Sequence, residues 1–392
     1  MVWGATGYTG RLLAAAMAQD APAGFRWALA GRDRARLEAL RRELGTDAHV
    51  ILADAHDQAS LVAMARRTRV VASTVGPYAQ RGTELVAACL AAGSDYADVT
   101  GEVIWMRRCI DAFDAPARAA GVRLVHACGF DSVPSDLGLW LLQRTALERH
   151  ARPCRRVTHV FGPMAGGFSG GTLASGLGLL EQAAGDPSLR RALADPDLLA
   201  PGCPPSVSVR EPWWPQRAPG LAHWTAPFPM AAVNTRVVRR TRALLGEPWG
   251  TDLHYRERWR ASNWLIAALV GLGSVVVPLV LANGPLRRWV QRWLPRPGEG
   301  PDAAALARGF FRTTLVGEVD AVGEHVIVRV ESDVDPGYVA TVRMLREVSM
   351  MLALGETDAP GGVLTPAFVG GERLLERLDA AGIHVSVVPA EA

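Results

Sequence analysis

Val2-Trp3-Gly4-Ala5-Thr6-Gly7-Tyr8-Thr9-Gly10-Arg11-Leu12-Leu13 decides the fold. Two apolar residues close a strand, three glycines spaced by three make a tight turn, and the apolar run onward to Gln19 reads as a helix. The pattern is a G-x-x-G-x-x-G form of the dinucleotide-binding turn. Gly4 and Gly7 let the backbone approach a pyrophosphate, and Gly10 lets helix and strand pack closely. Thr6, Tyr8 and Thr9 lie between them and complete the expected cofactor contacts at this turn. Three glycines alone could also make an ordinary strand-to-helix corner, and the surrounding context favours the nucleotide turn. A second strand over residues 26–30 follows, and the chain continues Gly31-Arg32-Asp33-Arg34-Ala35-Arg36. An NAD-selective site ends this strand on an acid that takes the ribose 2′-hydroxyl, whereas Arg32, supported by Arg34 or Arg36, suits a 2′-phosphate. NADP is therefore the expected cofactor, with Arg34 and Arg36 equally suited to the exposed face of the next helix.

The alternation continues. A third strand over 49–53 closes on Asp54, a position suited to the adenine amino group, and a fourth over 70–75 runs into Gly76-Pro77-Tyr78, where Gly76 and Pro77 would line the cofactor. Strands and helices in this rhythm predict an α/β protein built on a Rossmann-like, doubly wound parallel sheet, with its ligand at the carboxyl ends of the strands. Only three residues precede Gly4, fewer than the roughly five or six of an ordinary strand, so we expect the natural start to lie upstream of Met1.

Length and composition set the limits. A chain of 392 residues suits two domains, and 49% hydrophobic with 21% charged residues is globular. The net charge of +3 gives no electrostatic footprint for nucleic acid. The chain contains no lysine, so all 42 basic residues are arginine and neither a Schiff base nor a lysine acid or base is available. Its five cysteines, Cys89, Cys109, Cys128, Cys154 and Cys203, are scattered without metal or disulfide spacing. With no secretory signal apparent, a cytoplasmic location is expected.

The motifs GATGYTG at 4–10, AGR at 30–32, VGPY at 75–78, YADVTGE at 96–102, CGFDSVPSDLG at 128–138, GGFSGGT at 166–172, PGEGP at 297–301 and GGVLTPA at 361–367 occur in this order. Together they resemble the saccharopine dehydrogenase-like oxidoreductases, in the branch containing the trans-acting enoyl reductases of actinobacterial lipid biosynthesis. The resemblance covers nearly the whole chain. It implies NADP-dependent reduction of a lipid-like substrate, such as a double bond conjugated to a thioester. Lack of lysine departs from saccharopine chemistry, whose acid–base step is expected to use one.

Two clusters carry possible chemistry. In extended geometry Tyr96, Asp98, Thr100 and Glu102 share one face and could share a site, or Asp98 or Thr100 could cap the helix that follows, with Glu102 completing the cap. The segment Gly129-Phe130-Asp131-Ser132-Val133-Pro134-Ser135-Asp136 opens another helix whose free amides suit a carboxylate or an enolate oxygen, with Ser132 or Ser135 as its cap. Enoyl reduction needs one proton donor, and Tyr78, Tyr96 and Asp131 are the candidates. His126 reads as a satisfied core histidine.

We divide the chain into an NADP-binding domain over 1–130, an α+β substrate domain over 131–345 and a C-terminal segment over 346–392 that returns to the first domain. In the second domain the stretches 155–162 and 233–238 read as extended, and 166–172 as a turn facing the cleft. Residues 264–282 carry no charge, and Arg287, Arg288, Arg292 and Arg296 follow, interleaved with Trp289 and Trp293. Length alone would allow a span, but Gly271, Gly273 and Pro278 interrupt the run. The apolar segment 264–286 is read first as an interfacial or substrate-entry surface at the inner face of the plasma membrane, with core, oligomer contact and true span as alternatives. The expected partners are a lipid-like or acyl-thioester substrate, a peripheral membrane contact and a second copy of the chain, and not nucleic acid. Besides enoyl reduction, two functions stay open: reduction of an imine or carbonyl on a small amino acid, and a non-catalytic membrane-associated nucleotide-binding scaffold.

Overall fold

The structure, a computed structural model, describes residues 1–166, 185–204, 212–218, 223–246, 248–282, 300–319 and 324–389. Its first part alternates as expected: β1 (Val2–Trp3), α1 (Tyr8–Asp20), β2 (Ala28–Gly31), α2 (Arg34–Glu43), β3 (His49–Leu52), α3 (Gln58–Ala65) and β4 (Val70–Ser73). It continues through α4 (Tyr78–Arg81), α5 (Thr83–Ala92), β5 (Asp95–Asp98), α6 (Val103–Ala120), β6 (Arg123–Val125) and α7 (Val133–His150). Local chemistry sets these boundaries. Asp33 and Asp57 cap α2 and α3 by accepting first-turn amides, while Gly93 and Gly121 end α5 and α6 in the left-handed conformation that glycine adopts without strain.

The second part contains β7 (Arg156–Ala165), α8 (Pro187–Ala194), β8 (Gln216–Arg217), β9 (Trp224–Pro227), α9 (Ala231–Leu244), β10 (His254–Ala261) and α10 (Trp264–Ala282). Then follow α11 (Ala303–Ala307), β11 (Phe310–Val319), β12 (Glu324–Ser332), α12 (Thr341–Leu354), β13 (Gly362–Leu364), α13 (Pro366–Ala380) and β14 (His384–Val388), with one π-helical turn at Pro336–Ala340.

Among the described residues, two seven-stranded sheets organise the molecule. The first has the order β13-β6-β5-β4-β1-β2-β3 with every pairing parallel. Read from β3, this is the doubly wound order 3-2-1-4-5-6 extended by one strand. The strand order reverses beside β1, so the ligand crevice lies at the carboxyl ends of β1 and β4. The second sheet is mixed, β14-β12-β11-β7-β10-β9-β8, with β7 and β10 its one parallel pair. A continuous apolar core joins the two: Leu137 and Leu142 of α7 pack with Leu315 of β11, Val328 of β12 and Leu345 of α12.

Two expectations need correction. Residues 233–238 are helical, within α9. Asn234, Val237, Val238 and Thr241 are wholly buried, a period of 3.6 rather than 2, so packing overrides the β preference of the two valines. The last strand, β14, does not return to the first domain; it pairs with β12 in the second sheet, and β13 is the returning strand, on β6.

Helix α10 carries the apolar run. Trp264, Leu265, Leu269, Leu272 and Val277 are at least half exposed. Among the described residues no helix is long and apolar enough to cross a membrane. The arginines at 287, 288, 292 and 296, the tryptophans at 289 and 293, residues 167–172 of the glycine-rich turn and 297–299 of PGEGP lie outside the described residues.

Asp136, in the first turn of α7, ties three elements together. Its carboxylate accepts from the Thr241 hydroxyl of α9 and from the Ala367 amide of α13 at 2.8 Å. Burial pushes its pKa up from 3.8 to about 7, against the lowering effect of these donors. Between these values the folded state holds a proton that the unfolded chain has released. This contribution to stability is therefore complete below about pH 4 and is lost as pH rises through 7. Asp136→Asn is expected to remove about 4 kcal/mol of pH dependence between pH 4 and 8, measured by urea unfolding; an unchanged pH slope would refute the assignment.

Candidate functional site

The glycine corner is built by close approach. Gly4 has φ +80°, a conformation for glycine, and a Cβ there would lie 2.4 Å from Val75 Cγ2. A Cβ on Gly10 would lie 2.1 Å from the Gly4 carbonyl oxygen. The Gly4 and Ala5 amides donate to Ala30 O at 3.1 and 3.3 Å, and the Gly7 amide donates to Gly4 O at 2.9 Å. Helix α1 starts with Gly7 as its N-cap, which has no side chain to satisfy the first-turn amides. Those amides and the helix dipole are offered to an anion, and the corner fits a dinucleotide pyrophosphate.

The carboxyl end of β2 is cationic. Arg32, Arg34 and Arg36 are exposed, and Asp33 among them is committed to its cap, accepting from Arg36 N at 3.1 Å. The Arg36 guanidinium reaches back to Thr6 O at 3.4 Å, which brings it to the corner instead of leaving it on an outer face. Asp54 lies at the end of β3, its carboxylate accepting from His56 N at 2.9 Å. Tyr8 reaches across to the second part of the chain: its hydroxyl donates to Pro301 O at 2.6 Å and its ring meets Tyr338 edge-on at 4.8 Å. Thr74 Oγ1 donates to Trp3 O at 3.1 Å, which holds the end of β4 beside the corner and sets Gly76 and Pro77, joined by a cis peptide, next to it.

The cluster at the end of β5 is structural. Tyr96, Asp98 and Thr100 are buried, so they do not share an open site with Glu102. Tyr96 lies wholly in the core, where burial and then Asp98 push its pKa well above 10. The Tyr78 hydroxyl donates to Ser73 O at 3.1 Å, its ring stacks on Trp105, and burial followed by Asp98 likewise raises its pKa. Glu102 caps no part of α6 with its side chain; its two oxygens accept from the Tyr78 and Ala79 amides, each at 2.9 Å, and cap α4 instead. Asp98 Oδ1 accepts from Thr100 N at 3.0 Å and Ala127 N at 3.2 Å, and Oδ2 lies 2.8 Å from His126 Nδ1. Burial alone would discharge His126, but Asp98 outweighs it and holds the pKa up at about 10, making this a buried ion pair. Ala127 takes φ +60°, strained for a residue with a Cβ, and the Asp98 bond to its amide holds it there.

That turn presents Gly129, Phe130 and Asp131 to the second part of the chain. The Phe130 amide donates to Thr341 Oγ1 at 3.1 Å, and Asp131 is half-buried. Neither serine caps α7. Ser132 Oγ donates to Asn234 Oδ1 at 3.2 Å and Ser135 Oγ to Glu257 Oε1 at 2.6 Å. Glu257, in the buried face of β10, also accepts from Tyr255 OH at 2.8 Å and Asn234 Nδ2 at 2.9 Å. His159 lies 3.1 Å from Tyr255 OH and 2.9 Å from Thr313 Oγ1, and burial lowers its pKa, so its ring is neutral. This buried network fixes the start of α7 against the second sheet. Only the Tyr255-x-Glu257 alternation signals it in the sequence.

The corner predicts that Arg32→Ala weakens NADPH by about 2 kcal/mol, roughly thirtyfold in Kd, and barely affects NADH, because only the phosphorylated ribose gives that guanidinium a dianionic partner. Calorimetric titration of both nucleotides checks it; equal losses would reject the selectivity argument. Asp98→Asn leaves His126 without its counter-charge and should cost about 3 kcal/mol of stability at neutral pH. That loss would shrink as pH rises through 10, where His126 is discharged in the parent as well. Equal unfolding midpoints of parent and variant at pH 7 would show that the pair is not a buried ion pair.

Comparison with known proteins agrees with this geometry. Residues 1–125 match the family model described as the saccharopine dehydrogenase NADP binding domain. The chain is 43% identical over 405 residues to a candidate trans-acting enoyl reductase of Mycobacterium tuberculosis, covering 98% of this chain and 96% of that protein. It is 36% identical over 403 residues to the trans-acting enoyl reductase of Mycobacterium bovis, with the same coverage. Saccharopine dehydrogenase (L-Glu forming) from Saccharomyces cerevisiae superposes with a TM-score of 0.54 at 14% identity over 98% of each chain, a likeness of fold alone. With the dinucleotide corner, the cationic end of β2 and relatives that match from end to end, the chain belongs to the saccharopine dehydrogenase-like family, in its trans-acting enoyl reductase branch, and is an NADP-dependent oxidoreductase.

Proposed function

We propose that the protein reduces the carbon–carbon double bond of an α,β-unsaturated acyl thioester, an intermediate of lipid or polyketide assembly. The observation that carries this reading is the end-to-end similarity to trans-acting enoyl reductases. Bound NADPH would supply the hydride for the β-carbon. The chain's own tasks are to steady the thioester carbonyl as it gains enolate character and to return a proton to the α-carbon. For the first task we assign the positive end of the α7 dipole, which begins two residues after Asp131; its first-turn amides are committed to Gly129 O and Ser132 O, so it acts through its field rather than through free donors. For the second task we assign Asp131. Tyr78 and Tyr96 are core residues whose burial opposes any change of charge, whereas Asp131 is half-buried where the first sheet meets the second part of the chain. We place the enzyme in the cytoplasm at the inner face of the plasma membrane; a lipid-like substrate calls for an apolar approach, and the exposed apolar side of α10 suits such a contact.

The test is NADPH oxidation with a short α,β-unsaturated acyl thioester. Asp131→Asn is expected to lower kcat about a hundredfold with Kd for NADPH unchanged. An unchanged kcat would remove the role from Asp131. Tight NADPH binding without turnover of any unsaturated thioester would reject the reaction itself.

A further inference from the structure

A cleft of about 920 Å³ opens between the second half of α1, α12 and α13, away from the glycine corner at the start of α1. Clefts of roughly 300–1,000 Å³ take small molecules. Leu12, Ala16 and Met17 of α1, with Val342 and Met350 of α12, give this one apolar walls. Arginines and carboxylates edge it, and nearly all of them are paired. Arg346 bonds to Asp20 and, at 2.7 Å, to Glu347; Arg377 bonds to Glu347 at 2.8 Å and Arg373 to Glu376 at 2.7 Å. Arg343 is the exception. Half-buried on α12, it donates to Ala381 O at 2.7 Å and has no carboxylate partner among the described residues. Most of its N–H donors therefore stay uncommitted. Burial and then the like charge of Arg346 lower its pKa, against the raising effect of Asp20, so its charge is held at a cost that a bound anion would offset.

This pairing decides the class of ligand. The carboxylates that line the cleft, Asp20, Glu347 and Glu376, each already hold an arginine, so a cation would have to displace one, whereas an anion meets the uncommitted Arg343. A bare inorganic ion would satisfy that guanidinium but leave the apolar walls against water; an anion with a hydrocarbon body satisfies both. We propose that the cleft binds an amphipathic organic anion, an aliphatic carboxylate whose head pairs with Arg343 and whose chain lies along Leu12, Met17 and Met350. The site is separate from the nucleotide crevice, and the inference does not rest on the reduction chemistry.

The test is calorimetric titration of the full, NADPH-saturated chain with decanoate, decanol and acetate, each below its micellar concentration. Decanoate is expected to bind about tenfold more tightly than decanol, which lacks the charge, and than acetate, which lacks the chain. Arg343→Gln should weaken decanoate about tenfold and leave Kd for NADPH unchanged, which also reports that the variant is folded. The decanol comparison uses the parent alone and decides the charge requirement even if the variant does not fold. No binding of decanoate by the parent, equal affinity for decanoate and decanol, or equal affinity of parent and Arg343→Gln overturns the proposal. Loss of decanoate binding in Asp131→Asn but not in Arg343→Gln places the ligand in the crevice and also overturns it. Turnover of an unsaturated thioester is read separately, so failure at this cleft and failure of the enoyl reading remain distinguishable.

Discussion

The close contact between Gly10 and the Gly4 carbonyl is the constraint from which the nucleotide site follows. With a Cβ predicted at 2.1 Å, any side chain at Gly10 would have to move α1 away from the end of β1. The helix axis would then no longer point its uncapped amides over the corner, and the anion cradle would be lost. The same closeness orders the neighbouring strands. Val75 packs on Gly4 and Thr74 bonds to Trp3, so the end of β4 closes one side of the cradle while Arg32 and Arg36 close the other from the end of β2.

Polar groups placed deep in the core hold the remaining walls. Burying Asp98 and His126 carries a desolvation cost that their mutual attraction offsets only because Asp98 is also given two backbone amides. The return on that arrangement is positional. Those amides belong to Thr100 and to the strained Ala127, so one carboxylate fixes both loops that face the second part of the chain. Asp136 does the same between α7, α9 and α13, and Glu257 between α7, α9 and the second sheet. Glu257 thus ties the second sheet to α7 and α9, and α7 follows directly on the turn that Asp98 holds.

Much of this was legible in the sequence because it depends on local chemistry. The glycine spacing, the alternation of strands and helices through Val125, and the arginines after β2 are each decided within a few residues of chain, and the structure reproduces them. What was not legible depends on contacts distant in sequence. Glu102 resembles a helix cap but accepts amides more than twenty positions earlier, and Ser135 resembles a cap but bonds to Glu257 on β10. Val237 and Val238 favour strand locally and yield to a helical face that buries them. Placing β13 and β14 in different sheets is likewise a matter of which edge is open, which no local pattern encodes.

Tyr8 shows how the two halves are coupled at the site itself. It begins α1, so its backbone belongs to the pyrophosphate cradle, yet its hydroxyl bonds to Pro301 and its ring lies against Tyr338. A Cβ at Gly300 would fall 2.3 Å from that ring, so the 300–301 segment passes directly over it. Backbone and side chain of one residue thus report to different parts of the molecule. A shift in the cradle must therefore be felt in the second part of the chain, which is the coupling an enzyme needs if nucleotide and substrate are to be held in a fixed mutual orientation.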